Sequence, residues 1–258
     1  MPRYLIRLMY DGAGFHGWQK QSGRRSVQGD VEQALLLCSQ MKTAVTGSGR
    51  TDSGVHALAQ YAHFDYSGRM TPRQLLLALN SHLAEDVRIT GIWPVADDFH
   101  ARFQACKRSY SYLLAREKTP LNRLYMGFLP RKQIHVERIA RLSEILLGSH
   151  DFSSLSKDNP DVPNHVCDLS RLAVTDQGGH LSFEFSADRF LHNMVRRIVG
   201  TLVNLSHQGL DADLLKRILE ERDPRQKLVI TAPAQGLYLA GVSYPRLQLD
   251  ATPVCVEW

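Results

Sequence analysis

Hydrophobic and polar residues recur with clear periods along the first hundred residues. In RYLIRLMYD every second residue is apolar or aromatic, which is typical of a strand. In SVQGDVEQALLLCSQM the apolar residues recur at helical spacing, and Ser26 is a favourable N-cap. A short strand near 43–46, a strand in HALAQYAHFDY, a helix in PRQLLLALNSHL after Thr71, and a strand in VRITGIWPV follow. This order is β-α-β-β-α-β.

The same order recurs in the second half of the chain. It predicts a strand in KRSYSYLLARE, a helix in VERIARLSEILL, strands around HVCDLSRLAVTD and LSFEFSAD, a helix in FLHNMVRRIVGTLVNLSHQ and a strand in YLAGVSYP. DADLLKRILEERD is an extra helix, and 153–164 is an irregular loop. We predict an α+β fold of two ferredoxin-like halves, 1–104 and 105–258. Their strands would form a mostly antiparallel sheet with helices on one face and an RNA-binding cleft on the other.

Composition and charge narrow the class of protein. Hydrophobic residues make up 43% and charged residues 22%, as expected of a folded globular chain. The net charge is +5, and basic doublets such as Lys107-Arg108 are scattered, which favours a polyanionic partner. The four cysteines lie far apart, and we recognise neither a secretory segment nor an apolar run of about 18 residues. We therefore expect a cytoplasmic protein without a membrane segment.

Two motifs with known chemistry are weak here. The eleven histidines form neither HxxxH nor HExxH spacing, so we expect no metal. GAGFHG at 12–17 matches the dinucleotide fingerprint GxGxxG, but WQKQSGRR separates it from the next helix signal. Because that fingerprint places a pyrophosphate on the helix that its glycines open, nicotinamide or flavin binding is not expected.

The stretch TGSGRTDSGVHA sets Asp52 among glycines, two residues after Arg50. Glycines permit sharp turns and close approach to a ligand, and an ionised carboxylate attacks carbon without a general base. If the chain is extended, Arg50 shares a side with Asp52 and could pair with it. An ion pair that only stabilises the loop is the alternative interpretation.

Other candidate residues lie in the second half. Tyr110 and Tyr112 alternate beside Lys107 and Arg108, as in strands that stack a nucleobase, although Tyr112 fits a core position better than a contact. On the long predicted helix the apolar spacing leaves Arg196 or Arg197 as functional candidates. The core positions of that helix are predicted to be Phe190, Leu191, Met194, Val195, Ile198 and Val199.

Together these blocks resemble the bacterial tRNA pseudouridine synthase I family. The resemblance rests on YDGAGFHGWQKQ, RSVQGDVEQAL, GSGRTDSGVHA, FHARFQACKRSYSY, FLHNMVRRIVGTL and APAQGLYLAGVSY, in the family's order, and GRTDSGVHA is the most specific. It implies isomerisation of uridine to pseudouridine at positions 38, 39 and 40 in the anticodon arm of tRNA. It also implies a homodimer that needs no cofactor. The catalytic aspartate falls on Asp52, its arginine partner on Arg50 and the substrate-contacting tyrosine on Tyr110.

The chain departs from the usual family residues at Gln104 and in the block 151–167, where Leu155 replaces an aromatic residue. These differences would affect the choice of tRNA more than the chemistry. A non-catalytic RNA-binding protein with paired RRM-like folds is the alternative function. Such a protein would not need a carboxylate beside phosphodiesters.

Overall fold

The protein is described by a computed structural model covering residues 1–160, 162–245 and 247. Its packing divides the chain into two compact units. One comprises Met1–Cys106 and the described residues from Leu239 onward, and the other comprises Lys107–Tyr238. The last strand therefore packs for most of its length with the first unit. The proposed division into halves 1–104 and 105–258 stays a prediction.

The first unit has a ferredoxin-like strand order. Its elements are β1 (Arg3–Tyr10), α1 (Val27–Ser39), β2 (Thr46–Gly47), β3 (His56–Asp65), α2 (Pro72–His82) and β4 (Val87–Val95). Strand β1 lies between β4 and β3, β2 pairs with β3, and these pairings are antiparallel. This order brings the turn after β1 and the loop after β2 to the same strand, β3.

The helix starts of this unit follow from their capping residues. The Ser26 side chain accepts a hydrogen bond from Gly29 N–H at the start of α1. At the start of α2, Thr71 and Gln74 form a reciprocal capping box, and Pro72 occupies the first turn. These side chains satisfy N–H groups that have no partner within the helix, so both starts are predictable from sequence.

The second unit contains four strands and three helices among its described residues. They are β5 (Lys107–Ala115), α3 (Val136–Ile145), β6 (Gly148–Asp151), β7 (Val166–Asp176), β8 (His180–Ala187), α4 (Met194–Gln208) and α5 (Ala212–Glu221). The strand order is β5-β8-β7-β6 with antiparallel pairing. Strand β9 (Leu237–Ser243) follows. The mostly antiparallel α+β fold is confirmed.

Two predictions about the second unit are wrong in detail. The sequence does not predict strand β6, because its four residues GSHD have low strand propensity. Helix α4 begins at Met194 rather than near Phe190, since Asn193 has a left-handed backbone with φ of 61° and interrupts the helix there. Phe190 and Leu191 therefore precede the helix.

The irregular segment after β6 contributes to the core of the second unit. Phe152, Ser154, Leu155 and Ser156 are all fully or almost fully buried. Leu155 is thus a packing position and does not lie on an exposed loop surface.

His63, on β3, provides a pH-dependent contribution to stability. Its Nδ1 accepts the Ala101 N–H at 3.1 Å, and its ring lies 4.8 Å from the His100 ring. Burial, reinforced by the positive charges of His100 and Arg3, lowers the pKa of His63 to about 4. In the unfolded chain the same histidine has the ordinary pKa of ~6.5. Between pH ~6.5 and about 4 the unfolded chain therefore binds a proton at this residue, whereas the folded chain does not. Stability from His63 is therefore complete above pH ~6.5 and lost as the pH falls toward 4.

We expect the free energy of unfolding to fall by about 1–2 kcal/mol more in the parent than in His63→Asn between pH 7 and pH 5. Asparagine keeps an acceptor for Ala101 N–H but does not titrate. Urea unfolding at both pH values measures the difference, and His82→Asn, at an exposed position, is the matched control. Parallel pH profiles for the parent and His63→Asn would contradict this assignment.

Candidate active site

The loop that carries Asp52 is fixed at its beginning by a buried glutamine. Ser48 N–H donates to Tyr61 O at 2.7 Å, continuing the β2–β3 pairing by one residue. The Ser48 hydroxyl donates to Gln60 Oε1 at 2.6 Å, and Gln60 Nε2 donates to Gly49 O at 3.1 Å. Because Gln60 is fully buried on β3, these bonds hold the loop to the sheet.

Thr51, the residue before Asp52, is held from two directions. Its hydroxyl shares a 2.7 Å hydrogen bond with the buried Tyr10 hydroxyl at the end of β1. Its carbonyl accepts the Trp18 N–H at 3.0 Å. Thr51 is itself buried, so the backbone leading into Asp52 has little freedom.

Glycines in GAGFHG allow the turn after β1 to approach the Asp52 loop. A Cβ on Gly12 would lie 2.1 Å from the Val55 carbonyl oxygen. One on Gly17, where φ is +88°, would lie 2.5 Å from the Thr51 carbonyl oxygen. Helix α1 begins only at Val27, so these glycines do not open a helix as the dinucleotide fingerprint requires. They make room for another loop of the same chain.

Asp52 lies at the turn of this loop and is half-buried. The loop reverses immediately after it: Val55 N–H donates to Asp52 O at 3.2 Å, and Gly54 takes a φ of +77°. Gly54 N–H and the Ser53 hydroxyl both donate to Phe15 O, at 3.3 and 3.2 Å. The carboxylate is thus presented from a backbone that is anchored on both sides.

Arg50 is exposed, and its side chain turns toward Gln19. Arg50 Nε donates to Gln19 Oε1 at 3.1 Å. Within residues 1–160, 162–245 and 247, no carboxylate forms an ion pair with Arg50, so the predicted Arg50–Asp52 pair is wrong. That prediction required an extended strand, but β2 ends at Gly47 and Thr51 is fixed by its own contacts.

Tyr110 lies in the second unit, on β5, opposite Phe185 of β8. It is half-buried, and its ring meets the Phe190 ring edge to face, with centroids 4.9 Å apart and planes at 82°. Such a contact restricts rotation of the ring. The late start of α4 leaves Phe190 in this position.

Of three other candidate residues in the second unit, two are buried and contribute to the fold, and one is half-buried. Tyr112 is fully buried, donates to Pro233 O at 2.9 Å, and burial raises its pKa, so it is a core residue. Arg197 is buried and donates to Ser156 O and Pro224 O; burial lowers the pKa of this arginine. Arg196 is half-buried and donates to Ala232 O and Asn193 Oδ1. Of the two arginines on α4, Arg196 therefore remains the candidate for a functional role.

Comparison with known proteins decides the family. The sequence profile of the family described as tRNA pseudouridine synthase matches residues 7–104 and 142–245, most of the chain. The chain belongs to the tRNA pseudouridine synthase family. Asp52 and Arg50 lie within the first matched segment of this family, and Tyr110 lies between the two segments.

Curated relatives from this synthase family align along almost the whole chain. Proteins named tRNA pseudouridine synthase A from Streptococcus pneumoniae serotype 19F (strain G54) and from Parabacteroides distasonis are each 37% identical to it. These alignments cover 95% of this chain and 99% and 97% of the relatives. A third, from Methylococcus capsulatus, is 38% identical over 94% of this chain and 90% of its own length.

Within the described part of this synthase, no group of three or more His, Cys, Asp or Glu side chains is placed to hold a metal ion. Nor is any helix of that part long and apolar enough to cross a membrane. The contacts that the sequence did not reveal are those of Tyr10, Trp18, Gln19 and Gln60 with the Asp52 loop. The sequence offers one signal for these contacts: in GWQKQ two glutamines lie close to a tryptophan, which the structure places in the core.

Proposed function

We propose that this protein isomerises uridine to pseudouridine at positions 38, 39 and 40 in the anticodon arm of tRNA, with Asp52 as the catalytic residue. The observation that carries the proposal is the anchoring of Asp52. Thr51 before it and Gly54 after it are each hydrogen-bonded to the turn after β1. Positioning a reactive group in this way is a large source of catalysis, because little reorganisation is needed at the moment of reaction. The family membership supports the same assignment.

The reaction is an isomerisation, so no atom is gained or lost. The bond between uracil N1 and ribose C1′ breaks, the base turns, and a bond forms between C5 and C1′. The C5 proton is then removed and N1 takes up a proton. Asp52 would attack C1′ or C6, or would remove a proton from the ribose to give a glycal. Each route uses an ionised carboxylate held against the nucleoside.

Arg50 and Tyr110 are assigned to binding the substrate. A uridine inside a stacked anticodon arm must be turned out of the helix, which costs a few kcal/mol. An exposed arginine can occupy the space it leaves and contact phosphates. Tyr110, with its ring set by Phe190, is suited to stacking on the detached uracil. Tyrosine hydroxyls are weak bases at neutral pH, so stacking is favoured over removal of the C5 proton.

The proposal is tested by incubating the protein with unmodified tRNA transcripts and mapping pseudouridine by chemical labelling and mass spectrometry. We expect the product at positions 38 to 40. Pseudouridine at other positions only would overturn the site assignment. Binding of tRNA without any product would favour the alternative, an RNA-binding protein without catalysis.

Binding of tRNA should depend strongly on salt, although several basic residues serve the fold. Arg25, in the basic doublet Arg24-Arg25, is paired with Asp30 and Asp86, and Arg197, in the doublet Arg196-Arg197, is buried, so these two residues are not expected to contact phosphates. With about four phosphates contacted, affinity should fall roughly 100-fold between about 50 and 200 mM salt as counterions are released.

Filter binding across this range measures the salt slope. Lys107→Ala, at an exposed basic residue of β5, should reduce the slope by about 1. Lys216→Ala, on α5 beside Asp213, is the matched control and should leave it unchanged. An affinity that does not vary with salt would exclude phosphate contacts as its source.

We also propose that the protein acts in the cytoplasm as a homodimer. The location follows from a tRNA substrate, and the dimer from the family resemblance. Sedimentation at several protein concentrations would test the dimer.

A further inference from the structure

A chain of side-chain hydrogen bonds connects Arg50 to helix α1. Arg50 Nε donates to Gln19 Oε1 at 3.1 Å, and Gln19 Nε2 donates to Gln28 Oε1 at 2.6 Å. Gln28 Nε2 donates in turn to Glu32 Oε1 at 3.0 Å. Glu32 also accepts from Lys20 Nζ at 2.8 Å. The segments GWQKQ and SVQGDVE supply all of these partners, and their polar side chains have no role assigned above apart from the Ser26 cap and the Asp30 ion pair.

The amide orientations in this chain follow from its two ends. Glu32 is a carboxylate and accepts only, whereas the Arg50 guanidinium donates only. Gln28 Nε2 faces Glu32 and also donates to Val45 O at 3.0 Å, so its Oε1 faces the other way. That oxygen accepts Lys20 N–H at 3.0 Å and Gln19 Nε2. Gln19 must therefore present Oε1 to Arg50.

The exposure of these residues increases along the hydrogen-bonded chain from Glu32 to Arg50. Glu32 retains only 15% of its side-chain exposure, Gln28 and Gln19 are half-buried, and Arg50 is exposed. The backbone on both sides of Arg50 is fixed by Gln60 and by Trp18, through Gly49 and Thr51. An exposed arginine normally samples many rotamers, but here one acceptor restrains it. Among the described residues the hydrogen bond of Arg50 is made by its Nε, which leaves the two terminal nitrogens to bind a substrate.

We propose that Gln19 is a positioning residue, which holds the Arg50 guanidinium ready to enter the anticodon arm. This inference rests on the substrate-binding role proposed for Arg50. Restraining a flexible side chain beforehand reduces the entropy lost when Arg50 enters the anticodon arm of the bound tRNA, a step that belongs to each turnover. Without Gln19, Arg50 would still be present and charged, but it would have to find its position during each turnover.

A double-mutant cycle tests whether Gln19 acts through Arg50. Gln19→Met keeps the length of the side chain but removes its acceptor and donor. We expect roughly tenfold slower pseudouridine formation in single turnover at saturating enzyme, since one hydrogen bond to a charged group is lost. In the Arg50→Ala background the same change should alter the rate by less than about twofold, because there is no guanidinium left to position. Gln21→Met, two residues away and exposed, is the matched control and should match the parent.

The outcomes separate this inference from the function on which it rests. If Arg50→Ala forms pseudouridine at the parent rate, the role proposed for Arg50 fails. If Arg50→Ala is slow while Gln19→Met matches the parent, the inference about Gln19 is wrong and the role of Arg50 stands. Equal slowing by Gln19→Met in both backgrounds would also refute it, because Gln19 would then act on loop stability. Thermal melting of the parent and the four variants accompanies the rates.

Discussion

Asp52→Ala should form pseudouridine at least about 10⁴-fold more slowly than the parent while binding tRNA within about tenfold as tightly. The loss is of the order found when an enzyme loses the group that attacks its substrate. Binding should survive, because contacts to phosphates dominate affinity for nucleic acids and an anion contributes nothing favourable to them. The measurement is single-turnover conversion of an unmodified tRNA at saturating enzyme.

Alanine is the better replacement at position 52, since asparagine before Ser53 and Gly54 could deamidate and restore the carboxylate. Asp97→Ala, which removes an exposed aspartate from the same unit, is the matched control. If Asp52 only stabilises its loop, the variant should melt slightly earlier and lose on the order of 1 kcal/mol of stability. Turnover within tenfold of the parent by a folded Asp52→Ala protein would end the proposal of catalysis.

Gly17→Ala should have the second largest effect, on both stability and activity. The added Cβ would meet the Thr51 carbonyl oxygen at 2.5 Å, and the backbone φ of +88° disfavours any side chain. We expect the free energy of unfolding to fall by about 3 kcal/mol. Where the protein still folds, Thr51 must shift and carry Asp52 with it. A displacement of about 1 Å costs on the order of 100-fold in rate.

Gly23→Ala separates the two causes of that loss. Gly23 also has a positive φ, of +69°, but nothing lies within 4 Å of a Cβ added there. Its replacement should cost only about 1 kcal/mol and leave turnover unchanged. Urea unfolding and single-turnover rates of both variants give the comparison. Equal effects at Gly17 and Gly23 would mean that contact with Thr51 has no special importance.

Local signals in the sequence predicted much of the fold. The helix starts at Ser26 and Thr71 depend on side chains that bond to the backbone within three residues, and such local rules can be read directly. Strand β6 and the start of α4 could not be read in this way. The first has weak strand propensity, and the second depends on a left-handed Asn193 whose conformation no pattern specifies.

The candidate site shows the same division between local and distant information. Asp52 stands out because glycines surround it in a short stretch of sequence. The partner of Arg50 does not, since Gln19 lies 31 residues away and the bond depends on how two loops approach each other. The pairing with Asp52 looked plausible because proximity along the chain was the only information available. Opposite charges two residues apart need not meet when a better-placed amide competes.

The turn after β1 and the Asp52 loop meet mainly through backbone atoms. Trp18 N–H bonds to Thr51 O, Gly54 N–H bonds to Phe15 O, and Gly17 lies against Thr51 O. Contacts of this kind depend on the number of residues in each segment more than on the identity of the side chains. Substitutions at exposed residues such as Ala13 and His16 should therefore be tolerated while the spacing is kept. Inserting or deleting a single residue in either segment would put donors and acceptors out of register, so the length of each segment is constrained more tightly than its exposed side chains.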